Sequence, residues 1–465
     1  MAPHDDGRHT DAALAWAAET IGGRIIRQER QKRWRPTFYL DIERPDGTVK
    51  HVMLRGFRAP IGPAEESFRE RLRMEAGICR ALGEAGCKVP GFHGYEPNGG
   101  WFLMDTLPGT PFLTGVDDPD RQASLFRQYV EAVVAMQKLD YRTLDLPDNL
   151  PMATTYEEGV NQMLDEFRQP YDFWPDKGPE PLIELTLWWL ENHPPKPVDN
   201  FSLTTGDIGT DQFMFEGDTM TGMFDLEMAY VGDPMQDIGL MRLRDLCYPL
   251  PGLPDHLHYW AELMGRELDK QSLCYWTVAG MMASPLYVYP LWHQPIPQIH
   301  RDGTQVHAFI PIHFRGTCEA LAEFYGFELD PSARPEPHVN THTRYNTWLV
   351  GQMRDYFPDG VDDDNLLFDY ECGAAVAEAA VLGQTLGPML EQQTIEDFER
   401  LMNRSFASEL EGLDALQSRI RQDPEKDLEQ TIRVLHRFHS RAEFITEPIQ
   451  TFAGFRSGLP LQRVF

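Results

Sequence analysis

The sequence has few of the features that mark secreted or disulfide-rich proteins. Its six cysteines stand at positions 79, 87, 247, 274, 318 and 372, with no CxxC pair among them. We therefore expect free, mostly buried thiols and a reducing compartment. The first residues, MAPHDDGRHTDAAL, are polar and charged and contain no apolar segment. They do not resemble a secretory signal, so we expect a cytoplasmic protein.

Basic residues are also scarce. The chain has 42 lysines and arginines against 72 aspartates and glutamates, which gives a formal charge of −30. Binding the phosphate backbone of a nucleic acid requires a basic surface, so the composition argues against a nucleic-acid partner. Segment 272–292 carries no charge and is long enough to span a membrane, but it contains two prolines and three serine or threonine residues. We expect it to be a buried helix and turn, with no membrane contact.

The hydrophobic pattern indicates an α+β protein. A length of 465 residues suggests about two to three domains, and 42% hydrophobic residues can fill large cores. The alternating runs TFYLDIE and KHVMLRGF predict a hairpin, residues 65–85 an amphipathic helix, and WFLMDTL a further strand. The rest of the chain has mostly helical spacing. We expect a second hairpin in MFEGDTMTGMFDLE, and loops with one helix near 316–326 within the proline-rich stretch 285–337.

One segment combines residues that can carry chemistry. TTGDIGTDQF places Asp207 in a loop with Gln212 five residues later, and Asp225 ends an apolar run thirteen residues beyond Gln212. Phosphoryl transfer of the kinase type uses an aspartate to orient the acceptor hydroxyl, then an amide and a second aspartate to hold magnesium on the nucleotide. A Gly-Asp pair alone is usually a turn. The combined spacing, however, indicates a phosphotransferase.

GDIGTDQF and FDLEMAYVGDPMQDIG resemble the aminoglycoside phosphotransferase and choline kinase-like family, in the branch associated with acyl-CoA dehydrogenases. That family has a loop H-G-D-x-x-x-x-N and a later I-D-W-E…G-D-P…D-L. The resemblance covers about residues 20–330. It implies a bilobal protein-kinase-like fold, with an N-lobe at 1–107, a helical C-lobe at 108–334 and an additional helical region at 335–465. It also implies ATP and Mg²⁺ as cofactors.

The resemblance assigns roles to the residues of the catalytic and metal loops. Asp207 matches the catalytic aspartate, and Asp225 matches the aspartate that binds magnesium. Gln212 stands where the family has a metal-binding asparagine, and Thr205 stands where it has a histidine. Gln212 adds a methylene, and octahedral magnesium tolerates little change of geometry. Two later acids, at 233 and 237, are expected to brace loops without touching the substrate.

The nucleotide side is assigned in the same way. Arg55 in VMLRG stands where many kinases have lysine, and Glu75 in RMEAG matches the glutamate that pairs with this cation. Asp105 lies in the segment that matches the hinge, whose backbone holds adenine. The loop expected to cover the phosphates, near 27–37, has no glycine. Between positions 24 and 35 lie six basic residues, and we expect Arg33 and Arg35 to contact phosphate; the alternative is a solvated loop.

The function implied is the ATP-dependent phosphorylation of a hydroxyl on a small molecule. The uncharged aromatic segment 274–313 suggests an apolar or aromatic alcohol, phenol or hydroxyacyl acceptor, and Tyr275 and Trp276 belong to this segment. The alternative function is a pseudokinase-like partner subunit that binds nucleotide or a partner enzyme without turnover. In either case the C-terminal helices are candidates for a homodimer contact or for contact with a partner enzyme.

Overall fold

The computed structural model describes residues 8–31, 35–57, 65–96, 98, 100–173, 178–292, 301–355 and 364–465. The chain forms two compact units, each built from several segments. The first comprises Met1–Gly159, Val198–Asp237 and Leu250–Glu267, and the second comprises Val160–Pro197, Ile238–Pro249 and Leu268–Phe465. The domain boundaries predicted after residues 107 and 334 remain predictions.

The first unit contains every strand of the described chain. It has α1 (Arg8–Ile21), β1 (Arg24–Arg30), β2 (Thr37–Glu43), β3 (Val49–Gly56), α2 (Glu65–Glu84), β4 (Phe92–Glu96), β5 (Trp101–Asp105), α3 (Pro119–Gln137), β6 (Ser202–Thr204), β7 (Phe213–Glu216), β8 (Thr219–Met223), β9 (Tyr230–Gly232) and α7 (Leu253–Met264). Helices α4 (Tyr156–Phe173) and α6 (Met235–Cys247) have residues assigned to both units. The predicted α+β class is confirmed, as are both predicted hairpins.

The five-stranded antiparallel sheet has the order β1-β2-β3-β5-β4. Side chains alternate between its two faces, because successive residues of a strand point to opposite sides. On β5, Trp101 and Leu103 pack with residues of α1, whereas Phe102 and Met104 pack with residues of α2. The sheet is therefore covered by one helix on each face, and this alternation decides which strand side chains can meet α2.

The basic segment that was predicted as a loop is a strand over its first half. Arg24 to Arg30 pair with β2 in an antiparallel register, so the loop prediction was wrong for these residues. The strand lies at the edge of the sheet, where long charged side chains reach solvent and discourage pairing with another chain. The connection to β2 is therefore shorter than predicted, at 31–36, and Arg33 lies outside the described residues.

The second unit is helical. It contains α5 (Pro181–Asn192), α8 (Lys270–Trp292), α9 (Arg301–Tyr325), α10 (Thr341–Asp355), α11 (Asp364–Met402), α12 (Glu409–Gln422) and α13 (Leu428–Phe452). The proline-rich stretch 285–337 was predicted as loops with one helix near 316–326. That helix is present but begins at Arg301, and residues 327–337 belong to no helix or strand, so the loop prediction was wrong only for residues 285–292 and 301–315. Helix α8 continues through Pro285 and Pro290, and α9 contains Pro311. Each proline lacks an N–H group and so removes one backbone hydrogen bond of the helix. The buried apolar side chains of α8 and α9 offset this loss.

Two predictions about the chain as a whole can be compared with the structure. All six cysteines are free and five of them are buried, as the sequence predicted for the thiols. Among the described residues, no helix combines the length and apolarity needed to cross a membrane. The uncharged segment 272–292 instead supplies core residues to the second unit, and Trp276 is completely buried there.

The last residues of the chain are fixed in the second unit by buried glutamates. These side chains, on α9 and α13, accept hydrogen bonds from backbone N–H groups of residues 458–465. Glu443 accepts from Gly458 (3.1 Å), Glu319 from Leu461 (2.7 Å), and Glu323 from Val464 (2.8 Å) and Phe465 (3.1 Å). A carboxylate satisfies an N–H of any residue, so this contact depends on the path of the backbone more than on the sequence of the tail.

Each of these glutamates also pairs with a buried arginine. Arg242 contacts Glu323, and neither side chain is exposed. Arg315 contacts Glu443 and lies 2.6 Å from Glu319. Taking such charges out of water is costly. Removal of either partner would therefore leave an uncompensated charge in the core and destabilise the unit.

We expect Glu323→Gln to destabilise the second unit by about 3–5 kcal/mol, because it leaves the buried Arg242 without its counter-charge. The measurement is the denaturant midpoint of unfolding. Glu328→Gln is the matched control, since Glu328 is 83% exposed and pairs with Arg463 at the surface. Equal midpoints for the two variants would contradict the structural role of the buried pair.

Candidate active site

The loop that carries Asp207 is held by one buried carboxylate. Asp237, which is fully buried, accepts hydrogen bonds from Thr205 N (3.1 and 3.0 Å to its two oxygens), Thr205 Oγ1 (2.9 Å) and Gly206 N (3.1 Å). Gln137 Nε2 donates a further hydrogen bond at 2.9 Å. Asp237 therefore occupies the bracing position that the sequence predicted. Thr205, which replaces the histidine of the family pattern, is fixed through its hydroxyl and backbone.

The environment of Asp237 makes these hydrogen bonds necessary. Burial raises the pKa of this carboxyl, and the hydrogen bonds from Thr205, Gly206 and Gln137 partly offset the shift. A buried carboxylate without donors would take up a proton, because its charge would be poorly solvated. The four donor groups therefore hold the loop and stabilise the charged form of Asp237.

Gly206 is required by the close approach of two chain segments. Its φ angle is +70°, in the left-handed region, and a Cβ atom there would lie 1.8 Å from the carbonyl oxygen of Met228. Only glycine avoids both the backbone strain and this overlap. Gly206 thus lets the loop turn tightly enough to present Asp207 directly after it.

A hairpin places the two predicted metal ligands at its open end. β7 and β8 pair so that Phe213 lies opposite Met223, and Phe224 N donates to the backbone oxygen of Gln212 at 3.2 Å. Gln212 is therefore one residue before β7, and Asp225 is two residues after β8. Phe213 stacks on Tyr129 with ring centroids 4.6 Å apart, which anchors the hairpin on α3. The register brings these distant sequence positions together.

Gln212, a predicted metal ligand, is hydrogen-bonded to Asp207, the predicted catalytic residue. Its Nε2 donates a hydrogen bond to Asp207 Oδ2 at 3.0 Å, and its side chain is buried. This bond orients the amide so that its nitrogen faces Asp207. Asp225 has a φ angle of +67°, which is uncommon for a residue with a side chain and which aspartate tolerates better than most.

The predicted cation and its glutamate are brought together. Arg55 follows Met53 on the face of β3 that packs against α2, and Glu75 lies on the buried stripe of α2 with Leu72 and Ala76. Arg55 Nε is 3.3 Å from Glu75 Oε2. A second nitrogen of Arg55, Nη2, contacts Asp225 Oδ1. Arg55 therefore links β3, α2 and the segment after β8.

The sequence interpretation missed Glu227 as a partner in this site. Arg35 is buried and contacts Glu227, and its Nη1 lies 3.7 Å from Glu75 Oε2. Glu227 was quoted only as part of the FDLE motif, and no role was inferred for it. Its position two residues after Asp225, on the same loop, was the available signal. The site thus contains two arginines and three carboxylates in one connected group.

These charges affect one another strongly. Burial raises the pKa of Glu75 to about 7, although Arg55 and Arg35 favour its charged form. Burial also disfavours the charged form of Asp225, but the nearby Arg55 and Arg35 guanidiniums hold its pKa below the usual value. Glu75 and Asp225 thus differ in how readily they ionise, because the arginines compensate Asp225 more completely.

The predicted hinge residue makes side-chain and backbone contacts within the first unit. Asp105 Oδ1 lies 2.6 Å from Lys50 Nζ and 2.7 Å from His93 Nε2. Its backbone N–H donates to Gly91 O at 2.8 Å, and the N–H of Thr106 donates to His51 O at 3.2 Å. These two N–H groups therefore fix the end of β5.

The residues present fit a nucleotide phosphate and a magnesium ion. Arg55 Nε is buried, and its 3.3 Å contact with Glu75 Oε2 is an ion pair without hydrogen-bond geometry, so among the described residues this N–H has no hydrogen-bond acceptor. A phosphate oxygen would supply that acceptor. The described residues contain no group of three or more His, Cys, Asp or Glu side chains that could hold a metal by themselves. Magnesium on a nucleotide needs only one or two protein oxygens, and Asp225 and Gln212 can supply them.

Two aromatic residues that were expected near the acceptor lie in the core of the second unit. Tyr275 and Trp276 are 1% and 0% exposed. Their rings pack edge to face with centroids 5.1 Å apart. They cannot touch a substrate, so lining the acceptor side is excluded for these two residues, whereas support of that side stays a prediction.

We expect Gly206→Ala to destabilise the first unit more than Gly217→Ala. Both glycines have positive φ angles, +70° and +57°, so alanine strains the backbone at either position by about 1–2 kcal/mol. Only the methyl group at 206 would overlap backbone atoms, whereas none lies within 4 Å at 217. Denaturant unfolding measures the difference, and equal losses would show that the Met228 contact does not restrict position 206.

We expect Asp237→Asn to loosen the loop around Asp207. Asparagine has one acceptor oxygen where aspartate has two, so buried donors at Thr205 and Gly206 lose partners at about 1–3 kcal/mol each. The measurement is amide hydrogen exchange at 205 and 206, which should become faster. Asp255→Asn, at an exposed position in the first turn of α7, is the control and should leave exchange at these amides unchanged.

Comparison with known proteins agrees with the sequence resemblance. The model of the phosphotransferase enzyme family matches residues 36–265, a segment that contains the described site. No curated protein matches the chain.

Several solved structures are similar to part of the chain. One is a Ralstonia eutropha protein assigned as an aminoglycoside phosphotransferase (18% identity, 66% of this chain and 96% of that one, TM-score 0.46). Others are a macrolide 2′-phosphotransferase of Brachybacterium faecium (16%, 62% and 94%, 0.45) and a choline/ethanolamine kinase family protein of Mesorhizobium loti (14%, 68% and 94%, 0.46). The segment 36–265 of this chain thus belongs to the phosphotransferase enzyme family.

Proposed function

We propose that this protein transfers the terminal phosphoryl group of ATP to a hydroxyl group of a small molecule. The observation that carries the proposal is the arrangement of Asp207 and Asp225. Asp207 follows a loop fixed by Asp237, and Asp225 lies beside Arg55 and next to Gln212 at the end of a hairpin. This set of residues can position and neutralise charge, which is most of what phosphoryl transfer asks of a protein.

Asp207 would act on the acceptor. Its carboxylate would accept the proton of the attacking hydroxyl, or orient that hydroxyl towards the phosphorus atom. Gln212 holds one carboxylate oxygen of Asp207 through its 3.0 Å hydrogen bond and so limits rotation of the side chain. The fixed Thr205–Gly206 segment restricts the backbone. Asp207 would thus be oriented before the acceptor binds.

Asp225 and Gln212 would hold the metal. Mg²⁺ supplies charge neutralisation to the phosphate oxygens when it is bound. Asp225 contacts Arg55, so Arg55 would leave this carboxylate and bind phosphate oxygens in the loaded site. Glu75 keeps Arg55 in place during that change because the two side chains also contact each other.

The hinge would hold the base of the nucleotide through its backbone. The N–H groups of Asp105 and Thr106 already donate to Gly91 and His51, and Pro108 has none. The N–H of Leu107 and the hinge carbonyls are therefore the groups we assign to the base.

The charge-free part of α8 bears on the class of acceptor. We propose an apolar or aromatic alcohol, phenol or hydroxyacyl compound. The support is the charge-free segment 272–292, which forms most of α8. Since Tyr275 and Trp276 are buried, this segment would act by supporting other residues and not by direct contact.

The test is ATP consumption with a panel of hydroxylated compounds. The panel includes aliphatic alcohols, phenols, hydroxyacyl compounds, amino sugars and choline. We expect turnover with at least one compound and a loss of about 10²–10⁴-fold for Asp207→Asn, since the variant loses the proton acceptor. Asp218→Asn is the matched control, because Asp218 is 84% exposed in the β7–β8 turn. Equal activity of both variants would contradict the role of Asp207.

The pseudokinase alternative predicts a different result from the same assay. A chain that binds ATP and Mg²⁺ but consumes no ATP with any compound would act as a partner subunit. Under that outcome we propose that the C-terminal helices supply the contact. Tyr345 and Trp348 on α10 are 64% and 58% exposed and would be the first positions to substitute.

A further inference from the structure

The connection between β1 and β2 is anchored at its end by backbone hydrogen bonds. Gln31 N donates to Thr37 O at 2.8 Å, and Gly56 N donates to Pro36 O at 2.8 Å. The segment 27–37 has no glycine, so its backbone cannot easily adopt the conformations that let other loops wrap phosphates. Arg35 is the one residue of the connection whose side chain is described as buried.

Arg35 connects three segments that are far apart in the sequence. Its guanidinium contacts Glu227, which is 192 residues away in the segment after β8. It also lies 3.7 Å from Glu75 on α2. The Arg35 side chain is 7% exposed and the Glu227 side chain is 13% exposed, so water screens their attraction poorly. Arg35 thus ties the β1–β2 connection to the loop that carries Asp225.

Both arginines of the site are therefore engaged with carboxylates. Arg55 contacts Asp225 and Glu75, and Arg35 contacts Glu227 and Glu75. If both moved to phosphate oxygens, Asp225 and Glu227 would face the phosphate without their cations. The negative charges of these carboxylates and of the phosphate would then repel strongly, because the site is partly buried. A divalent cation is the group that can compensate both carboxylates and phosphate at once.

We propose that the Arg35–Glu227 contact is a latch that makes nucleotide binding depend on the divalent cation. The latch holds the β1–β2 connection against the Asp225 loop when no ligand is present. Arg35 exchanges Glu227 for phosphate oxygens when nucleotide binds, and Glu227 then requires a metal cation nearby. This inference rests on the proposed function for its nucleotide part, but the latch itself is a property of the ligand-free chain.

The first experiment uses the ligand-free protein. A double-mutant cycle of Arg35→Gln and Glu227→Gln measures the free energy of unfolding and the amide hydrogen exchange of residues 35–40. We expect non-additive effects, and faster exchange in either single variant, because each removes the same contact. The control cycle is Arg24→Gln with Glu43→Gln, an exposed pair at 2.6 Å that joins β1 and β2. If the effects of Arg35→Gln and Glu227→Gln were as additive as those of the control pair, the latch would be overturned.

The second experiment measures ATP affinity by calorimetry, with Mg²⁺ and with a chelator. We expect Glu227→Gln to bind metal-free ATP at least about tenfold more tightly than the unsubstituted protein, since Arg35 no longer has to leave a carboxylate. If Glu227 only bound the metal and did not hold Arg35, its substitution would have a different effect. Metal-free affinity would then be unchanged and affinity with Mg²⁺ would fall, and that result overturns the coupling.

These two experiments separate the latch from the proposed function. If the unsubstituted protein bound no ATP in either condition, the proposed function would fail, whereas the ligand-free cycle would still measure the contact. If the unsubstituted protein bound ATP only with Mg²⁺, and the Glu227→Gln variant bound ATP in the same way, the latch would fail and the proposed function would stand.

Discussion

The hydrogen bonds that Asp237 accepts are the contact on which the candidate site depends. This carboxylate fixes Thr205 and Gly206 directly before Asp207, and it does so from inside the protein, where water cannot replace it. Its own charge is costly to bury, and the same donors offset that cost. Asp207, Gln212 and the hairpin behind them take their positions from this loop. The family histidine is absent, but the loop is still held, because Thr205 donates through both its hydroxyl and its backbone.

The second feature of the site is a shared charge balance. Two arginines serve three carboxylates, and each arginine contacts more than one of them. Glu75 is central to this balance because it contacts both guanidiniums. Burial penalises its charge even so, which is why its pKa rises to about 7. Both arginines of the site are thus paired with carboxylates, and a phosphate that binds them must displace one of these carboxylates.

Buried ion pairs recur in the second unit with a different role. Arg242 with Glu323, and Arg315 with Glu443, hold the path of residues 458–465. Glu323 and Glu443 also accept hydrogen bonds from backbone N–H groups. Glu75 and Asp225 instead form ion pairs with arginines of the candidate site. Buried arginine–carboxylate pairs therefore hold the C-terminal segment in the second unit, whereas in the first unit they hold the charged side chains of the candidate site.

The sequence by itself indicated the residues of the candidate site except Glu227, and it determined much of the local structure. Alternation in VMLRG and helical spacing in RMEAG put Arg55 and Glu75 on facing surfaces, and the strand-turn-strand pattern of MFEGDTMTGMFDLE set the spacing of Gln212 and Asp225. The tertiary structure alone decided that residues 24–30 form an edge strand, that two proline-containing helices are continuous, and that Arg35 meets Glu227. Periodicity reports which side of an element a residue occupies. It does not report which distant segment will compensate a buried charge, because that depends on how the elements pack.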